Sequence, residues 1–176
     1  LAEYLREAIA AIVSLAIGSN QIGDEAMIYL LDTLKDVSLT SLDISKTGCG
    51  VSTASKLAEL LSADCKFTAV VEAVNLSGNR IAGVTREGYR DQKIDTDLSG
   101  LKALMAAATK VKSLDLSQNM LGPASAAEIS VLVSDAGAGL TKVVLDGCPL
   151  TGATGSKLQF DIDSEMDGFV ALCGVL

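Results

Sequence analysis

The sequence predicts an α/β fold in which about five coils, each made of one strand and one helix, stack into a right-handed solenoid. Three observations predict it. A strand phrase recurs five times, the copies are spaced widely enough for a strand and a returning helix, and helix-period segments follow the phrases. In such a fold the parallel strands line a concave face and the helices a convex face.

The recurring phrase has the form apolar-x-x-apolar-x-apolar-x-x-(Asn, Thr or Cys)-x-apolar. Successive strand side chains point to opposite faces, so the alternating apolar residues of each copy face the core. The central apolar residues are Leu15, Leu42, Val74, Leu114 and Val143. We therefore expect strands near 14–17, 41–44, 73–76, 113–116 and 142–145.

A short polar side chain, or a cysteine, occupies the ninth position of every copy, where the chain leaves the strand. There it can bond backbone groups of neighbouring coils that would otherwise lack partners. We interpret this column as structural and not catalytic. Its members are Asn20, Thr47, Asn79, Asn119 and Cys148.

Helical periodicity follows the phrases. Leu30 and Leu34 form an i, i+4 apolar pair that Ile129 and Val133 repeat, and Pro123 stands where a helix would begin. Residues 1–11 resemble the helix at 57–61, so we expect them to be the helix of a truncated coil. No polar cap is recognised at either end, which predicts a segment of a longer array.

The repeat resembles leucine-rich-repeat proteins of the ribonuclease-inhibitor type, a long-repeat class also found in NOD-like receptors and Ran GTPase-activating proteins. Cys148 at the Asn position is a variant that this family also uses. The resemblance covers essentially the whole chain and implies a horseshoe-shaped leucine-rich-repeat solenoid. Because the family includes inhibitors, sensors, activators and scaffolds, it implies no single function.

Composition limits the remaining possibilities. The chain has 176 residues, of which 49% are hydrophobic, so we expect a single domain over 1–176. The net charge of −8 disfavours nucleic acid and anionic membranes as partners. No apolar run approaches the roughly 20 residues that span a bilayer.

The cysteines indicate a compartment. Cys49, Cys65, Cys148 and Cys173 lack the paired spacings of a zinc site, and we expect free, buried thiols. No secretory leader or cysteine-rich cap is evident. The sequence therefore predicts an intracellular, cytoplasmic protein.

Two loop extensions, 82–96 and 151–164, interrupt the third and fifth coils. They end alike, because residues 94–101 align without a gap on residues 162–169. We expect both to leave the same edge of the solenoid and to carry recognition, since loops on a rigid scaffold commonly do. The alternative is that they only pack on each other. The candidate partner-binding residues are Arg86, Tyr89, Arg90, Lys93 and Phe160.

The concave face supplies a second candidate surface. Its exposed positions are mostly small and nearly balanced in charge, without the aromatic or arginine residues that anchor many interfaces. Asp43, Asn75 and Asp115 form a polar column there. The column is a candidate partner site, although Leu-Asp-Leu-Ser is also ordinary consensus for this repeat.

A metal site is a weaker interpretation of the shared loop ending. Asp163, Glu165 and Asp167 imitate the first half of an EF-hand calcium loop, but Gly174 stands where its closing glutamate should be. We favour helix initiation, with Thr96 and Ser164 as N-caps and with Asp97 and Glu165 facing the helix dipole. No metal and no cofactor are expected.

The residues do not predict an enzyme. Histidine is absent, and the sequence contains no phosphate-binding loop with lysine and no nucleophile elbow. The leading hypothesis is a non-catalytic protein–protein interaction scaffold that belongs to a larger complex, with a partner that the sequence does not identify. The alternatives are regulation of a small GTPase, implied by the Ran GTPase-activating resemblance, and a passive structural subunit.

Overall fold

The computed structural model describes residues 12–87, 91–134, 139–152, 154–156, 159–161 and 165–175. Its strands form one parallel sheet and two short hairpins. The strands are β1 (Ser14–Ala16), β2 (Ser41–Asp43), β3 (Ala73–Asn75), β4 (Val84–Glu87), β5 (Asp91–Ile94), β6 (Ser113–Asp115), β7 (Lys142–Val144), β8 (Thr154–Ser156) and β9 (Gln159–Asp161).

The main sheet has five parallel strands in the order β1-β2-β3-β6-β7. The central apolar residues of the five phrases lie in register across it, from Leu15 through Leu42 to Val143. Each strand is three residues long where the sequence predicts four. The ladder continues one residue further in hydrogen bonding, since the Ile17 amide donates to the Asp43 carbonyl at 2.9 Å.

Helices connect the parallel strands. They are α1 (Gly23–Thr33), α2 (Val51–Ser62), α3 (Lys66–Val70), α4 (Ser99–Ala107), α5 (Pro123–Ser134) and α6 (Asp167–Cys173). Short 3₁₀ turns at 34–36 and 108–110 end the α1 and α4 segments. We call each parallel strand with the helix that follows it a repeat unit. Unit 1 contains β1 and α1, unit 2 β2 and α2, unit 3 β3 and α4, unit 4 β6 and α5, and unit 5 β7 and α6.

The core lies between the sheet and the helices and is almost entirely aliphatic. Leu42, Val74 and Leu114 face it from the three inner strands and are buried, whereas Leu15 and Val143 on the two outer strands are half-buried. Burying one such side chain stabilises the fold by about 1.5 to 3 kcal/mol. The inner units therefore contribute more burial per residue than the outer ones.

The column of residues at the ninth position of the repeat phrase behaves as predicted in the inner units. Asn79 is buried, and its side-chain amide donates to the carbonyls of Ile44 and Leu76 at 2.9 Å. Its Oδ1 atom accepts the amides of Thr47 and Cys49, both at 3.1 Å. One side chain thus satisfies four buried backbone groups in two units, which confirms its structural role.

The same position is less well satisfied elsewhere. Asn119 donates to the Leu76, Leu116 and Ser117 carbonyls, but its buried Oδ1 atom has no hydrogen-bond partner. Asn20 is exposed, and its side-chain amide donates to the Ile17 and Gly18 carbonyls of its own turn. The column therefore joins units most strongly between units 2 and 3.

The contacts between neighbouring helices alternate along the chain. In two junctions a glycine lets the backbones approach closely, because a Cβ on Gly100 would overlap the Val51 carbonyl, and one on Gly168 would overlap the Pro123 carbonyl. These junctions join α4 to α2 and α6 to α5. Only glycine fits at such a contact.

The other two junctions are polar. The Lys56 ammonium pairs with the Asp32 carboxylate at 2.9 Å between α1 and α2, and the Lys102 ammonium pairs with Glu128 at 3.1 Å between α4 and α5. These side chains are partly exposed, so each pair contributes little to stability. The described units thus associate in tight pairs, 2 with 3 and 4 with 5.

The structure corrects two local expectations. Thr96 is not the N-cap of α4, because the helix begins at Ser99 and the Asp97 carboxylate accepts the Ser99 amide at 2.9 Å. The thiols are free, but only Cys49 is fully buried. Cys65 and Cys148 are half-buried and Cys173 is exposed.

Candidate functional site

The extension at 82–96 contains a β-hairpin and is not an irregular loop. β4 pairs antiparallel with β5, with Thr85 opposite Lys93 and Arg86 opposite Gln92. Two of the predicted binding residues, Arg86 and Lys93, therefore lie on facing strands, one register position apart. Tyr89 and Arg90 lie outside the described residues.

Burial changes along the hairpin. At its base, Val84 and Ile94 are opposite each other and half-buried. One pair further out, Thr85 and Lys93 are both exposed. The base therefore packs on the protein and the next pair is accessible from solvent.

The hairpin is closed at its base by backbone hydrogen bonds. The Asp97 amide donates to the carbonyl of buried Ala82 at 3.1 Å, and the Thr96 amide donates to Gly83 at 3.3 Å. Gly83 has a φ of 70°, and a Cβ there would lie 2.6 Å from the Thr96 hydroxyl oxygen, so a side chain would meet both strain and overlap. These bonds fix the direction in which the hairpin leaves unit 3.

A carboxylate joins the end of the hairpin to the next unit. Asp95, directly after β5, accepts the amides of Gly122 and Ser125, each at 3.0 Å, and also the Ser125 hydroxyl. These donors stand at the start of α5, where helix amides have no partner within the helix. A negative charge also interacts favourably with that end of the helix dipole.

The second extension also contains a hairpin. β8 pairs antiparallel with β9, and Phe160 stands opposite Gly155 in the register. Among the residues that the structure describes, no extensive contact joins this hairpin to β4–β5. Mutual packing of the two extensions stays an untested alternative.

The polar column of the sheet face performs a local task that the sequence interpretation missed. Asp43, Asn75 and Asp115 lie in register on adjacent strands. Each Oδ1 atom accepts the amide two residues further on, at 2.9 Å in all three cases. The side chains therefore shape the turn after each strand, although all three remain half-buried and reachable from the sheet face.

The rest of the sheet face contains an ion pair and a close side-chain contact. The Glu72 carboxylate and the Lys112 ammonium, directly before the neighbouring strands β3 and β6, form an exposed ion pair at 2.6 Å. The stem of Lys46 covers Gly78, where a Cβ would lie 2.5 Å from its Cγ atom. The other charged side chains of this face are of both signs, with Asp43, Asp115 and Asp146 beside Lys46 and Lys142, so the face carries little net charge.

The residues of the weak metal alternative are only partly described. Glu165 and Asp167 are exposed, and Asp167 is the first residue of α6, while Asp163 lies outside the described residues. In the described ranges, no three His, Cys, Asp or Glu side chains lie close enough to hold a metal ion. A calcium loop at 163–168 stays an untested alternative, and Ser164 is also outside the described residues.

The corresponding segment of unit 3 shows what its acids do. Asp95 bonds α5, whereas Asp97 bonds Ser99 at the start of α4. The hydroxyl and the amide of Ser99 donate to the Asp97 carboxylate and hold its pKa below the usual value of 3.8. The two acids serve different helices and do not converge on one point.

Sequence reasoning missed the pairing of Asp95 with Ser125. A signal was present, because Gly50-x-x-Thr53 and Gly122-x-x-Ser125 stand at equivalent places. Asp24 accepts from Gly50 and Thr53 just as Asp95 accepts from Gly122 and Ser125. A glycine followed three residues later by a hydroxyl thus marks a helix that is capped by the preceding unit.

One family comparison matches the chain. The family model described as "Leucine Rich repeat" matches residues 12–31, which include β1 and most of α1. The match supports a leucine-rich-repeat protein, in agreement with the α/β architecture and the five-stranded parallel sheet. No curated protein matches the chain. None of the described helices has the length and apolar character needed to cross a membrane.

Proposed function

We propose that this protein is a non-catalytic interaction scaffold, a leucine-rich-repeat solenoid of about five coils that presents the hairpin β4–β5 to a protein partner. The observation that carries the proposal is the anchored hairpin. Its base is half-buried and hydrogen-bonded to unit 3, while Thr85 and Lys93 are exposed. A recognition element held in this way loses little conformational freedom on binding.

Charge favours the hairpin over the sheet face. The segment 84–94 carries Arg86, Arg90 and Lys93 against Glu87 and Asp91, so its basic residues outnumber its acidic ones in a chain whose net charge is −8. On the sheet face, Glu72 and Lys112 already neutralise each other. We therefore propose an acidic segment as the partner's contact, because complementary charge favours encounter and register.

The finer identity and the setting belong to the same proposal. We propose the ribonuclease-inhibitor type of repeat, a place in a larger complex and an intracellular, cytoplasmic location, the last supported by the free thiols. Regulation of a small GTPase depends on the resemblance alone, and a passive structural role is the other alternative. An assay of GTP hydrolysis across a GTPase panel tests the former, and we expect no stimulation.

The test is affinity capture with a shortened hairpin. Residues 85–93 are replaced by Asn-Gly, a two-residue turn that keeps the Val84–Ile94 pair and Asp95. The matched control exchanges the charges of the sheet-face pair, Glu72→Lys with Lys112→Glu. Both variants are compared with the wild type by thermal unfolding before use.

We expect the shortened variant to lose about tenfold or more of the captured partner, as removal of a central binding element does. The charge-exchanged control should capture the same partner at the wild-type level. Undiminished capture by a folded, shortened variant contradicts the proposal. Loss of capture only in the charge-exchanged control moves the site to the sheet face.

A further inference from the structure

We infer that Asp95 is a latch that couples the hairpin β4–β5 of unit 3 to helix α5 of unit 4. A partner that binds the hairpin then alters the local stability of the junction between these units, and a change at the start of α5 alters the local stability of the hairpin. The inference rests on the proposed function only for the partner that binds the hairpin. The coupling itself follows from contacts within the chain.

The first support is the density of contacts at the latch. The two Asp95 carboxylate oxygens accept three hydrogen bonds from Gly122 and Ser125. Ile94, the last hairpin residue, covers the same place, because a Cβ on Gly122 would lie 2.6 Å from its Cδ1 atom and 2.7 Å from the Asp95 carboxylate. The end of β5 and the start of α5 therefore cannot shift independently.

The second support is a comparison within the chain. Asp24 forms the same three bonds with Gly50 and Thr53 at the start of α2. Asp24 lies in the first turn of helix α1, whereas Asp95 directly follows a hairpin strand. The junction is thus a recurring cap, and in unit 3 it has become attached to the candidate recognition element.

The third support is the backbone at Asp95. Its φ is 55°, in the left-handed region that few residues other than Gly, Asn and Asp adopt readily. The hydrogen bonds to α5 help to hold this conformation, and it sets the direction in which β5 ends. Release of the carboxylate removes part of that restraint.

Thermodynamic coupling is reciprocal, so the latch is tested from the side away from the hairpin. Ser125→Ala removes one hydroxyl bond to Asp95 and leaves every hairpin residue unchanged. Its matched control is Thr53→Ala, which removes the equivalent bond to Asp24. Amide hydrogen exchange of the full chain is read at 84–87, 91–94, 50–54 and 122–126.

We expect Ser125→Ala to accelerate hairpin exchange about three- to tenfold, the range set by losing one capping interaction. Thr53→Ala should accelerate exchange at 50–54 and leave the hairpin unchanged. Asp95→Asn, which tolerates the left-handed backbone, should accelerate exchange at both the hairpin and 122–126. If the Ser125→Ala variant exchanges rapidly throughout the chain, the Asp95→Asn variant still gives an independent measurement.

The inference is overturned if Ser125→Ala and Asp95→Asn accelerate exchange at 122–126 alone and leave the hairpin within twofold of wild type, roughly the scatter expected of such rates. Asp95 would then be a cap without coupling. No partner is needed for this measurement. Its failure therefore leaves the proposed partner binding standing, and a failed capture experiment leaves the latch standing.

Discussion

Gly100 of α4 lies directly against the carbonyl oxygen of Val51 at the start of α2, closer than any Cβ would permit. Gly168 of α6 stands in the same relation to the Pro123 carbonyl of α5. Because the two glycines occupy equivalent positions in units 3 and 5, the close approach recurs every second unit. The structure therefore builds rigid pairs of units and joins them through polar junctions.

The first prediction concerns these glycines. Gly100→Ala and Gly168→Ala should each destabilise the protein by about 1 to 3 kcal/mol, because the new methyl group must push the facing helix away. Urea unfolding monitored by circular dichroism measures the loss. The helix itself gains from alanine, so a net loss reports on the contact between helices.

Gly174→Ala is the matched control. Gly174 ends α6 with an ordinary φ of −70°, and a Cβ there would lie at normal contact distances of 3.4 and 3.5 Å from backbone carbonyls. This substitution should be neutral or slightly stabilising. If Gly100→Ala is as harmless as Gly174→Ala, the account of the tight junction is wrong.

The second prediction ranks the three asparagines at the ninth position of the repeat phrase by the stability that is lost when each is replaced by alanine. Asn79→Ala leaves the buried amides of Thr47 and Cys49 without partners and removes one of the two donors to each of the Ile44 and Leu76 carbonyls, so it should cost about 3 kcal/mol or more. Asn119→Ala removes hydrogen bonds to carbonyls only, because the Asn119 Oδ1 atom has no partner, and each of these carbonyls keeps another donor, so the cost should be smaller. Asn20→Ala, at an exposed position, should cost least. Free energies of unfolding in urea test the order, and an equal cost at all three positions contradicts it.

Much of the fold could be predicted because the repeat phrase reports burial directly. Leu42, Val74 and Leu114 recur at one strand position, and a side chain buried in every unit leaves the same mark each time. The extra helix α3, with fully buried Phe67, left no comparable mark because it occurs in unit 2 alone among the described units.

The candidate site was predicted less completely. The sequence predicts a loop over 84–94, because five charged residues lie between Val84 and Ile94. They conceal the alternation of apolar and polar residues that is typical of a strand. The role of Asp95 depends on donors 27 and 30 residues later, and local patterns do not carry such contacts. The local hydrogen bonds of Asp43 and Asp115 were not predicted either. Leu-Asp-Leu-Ser is ordinary consensus for this repeat, so the aspartate does not by itself indicate a local role.

The third prediction concerns pH. Because Ser99 lowers the pKa of Asp97 in the folded state, this interaction stabilises the protein above the unfolded value of 3.8 and is lost as the pH falls through the lowered pKa. Asp97→Asn should therefore be less stable than wild type at pH 6, and the difference should shrink at pH 3. Urea unfolding at the two pH values measures it. A difference that is the same at both would contradict the assignment.

The fourth prediction concerns thiol reactivity. Cys173 is exposed, Cys65 and Cys148 are half-buried, and Cys49 is fully buried with its Sγ atom near the Thr47 hydroxyl. Alkylation of the native protein by iodoacetamide should follow this order of access, with Cys49 modified only after unfolding. Peptide mass spectrometry of timed samples gives the four rates. Cys49 modification as fast as that of Cys173 would show that the core is open.

The most direct test of the central claim locates the partner by photo-crosslinking. A photoreactive amino acid is placed at Thr85 on the hairpin, at Thr40 on the sheet face or at Tyr29 on the helix side, all of which are exposed. If the hairpin β4–β5 carries recognition, position 85 should give most of the partner adduct and positions 40 and 29 little. Strong adducts at position 40 with none at position 85 would contradict the account.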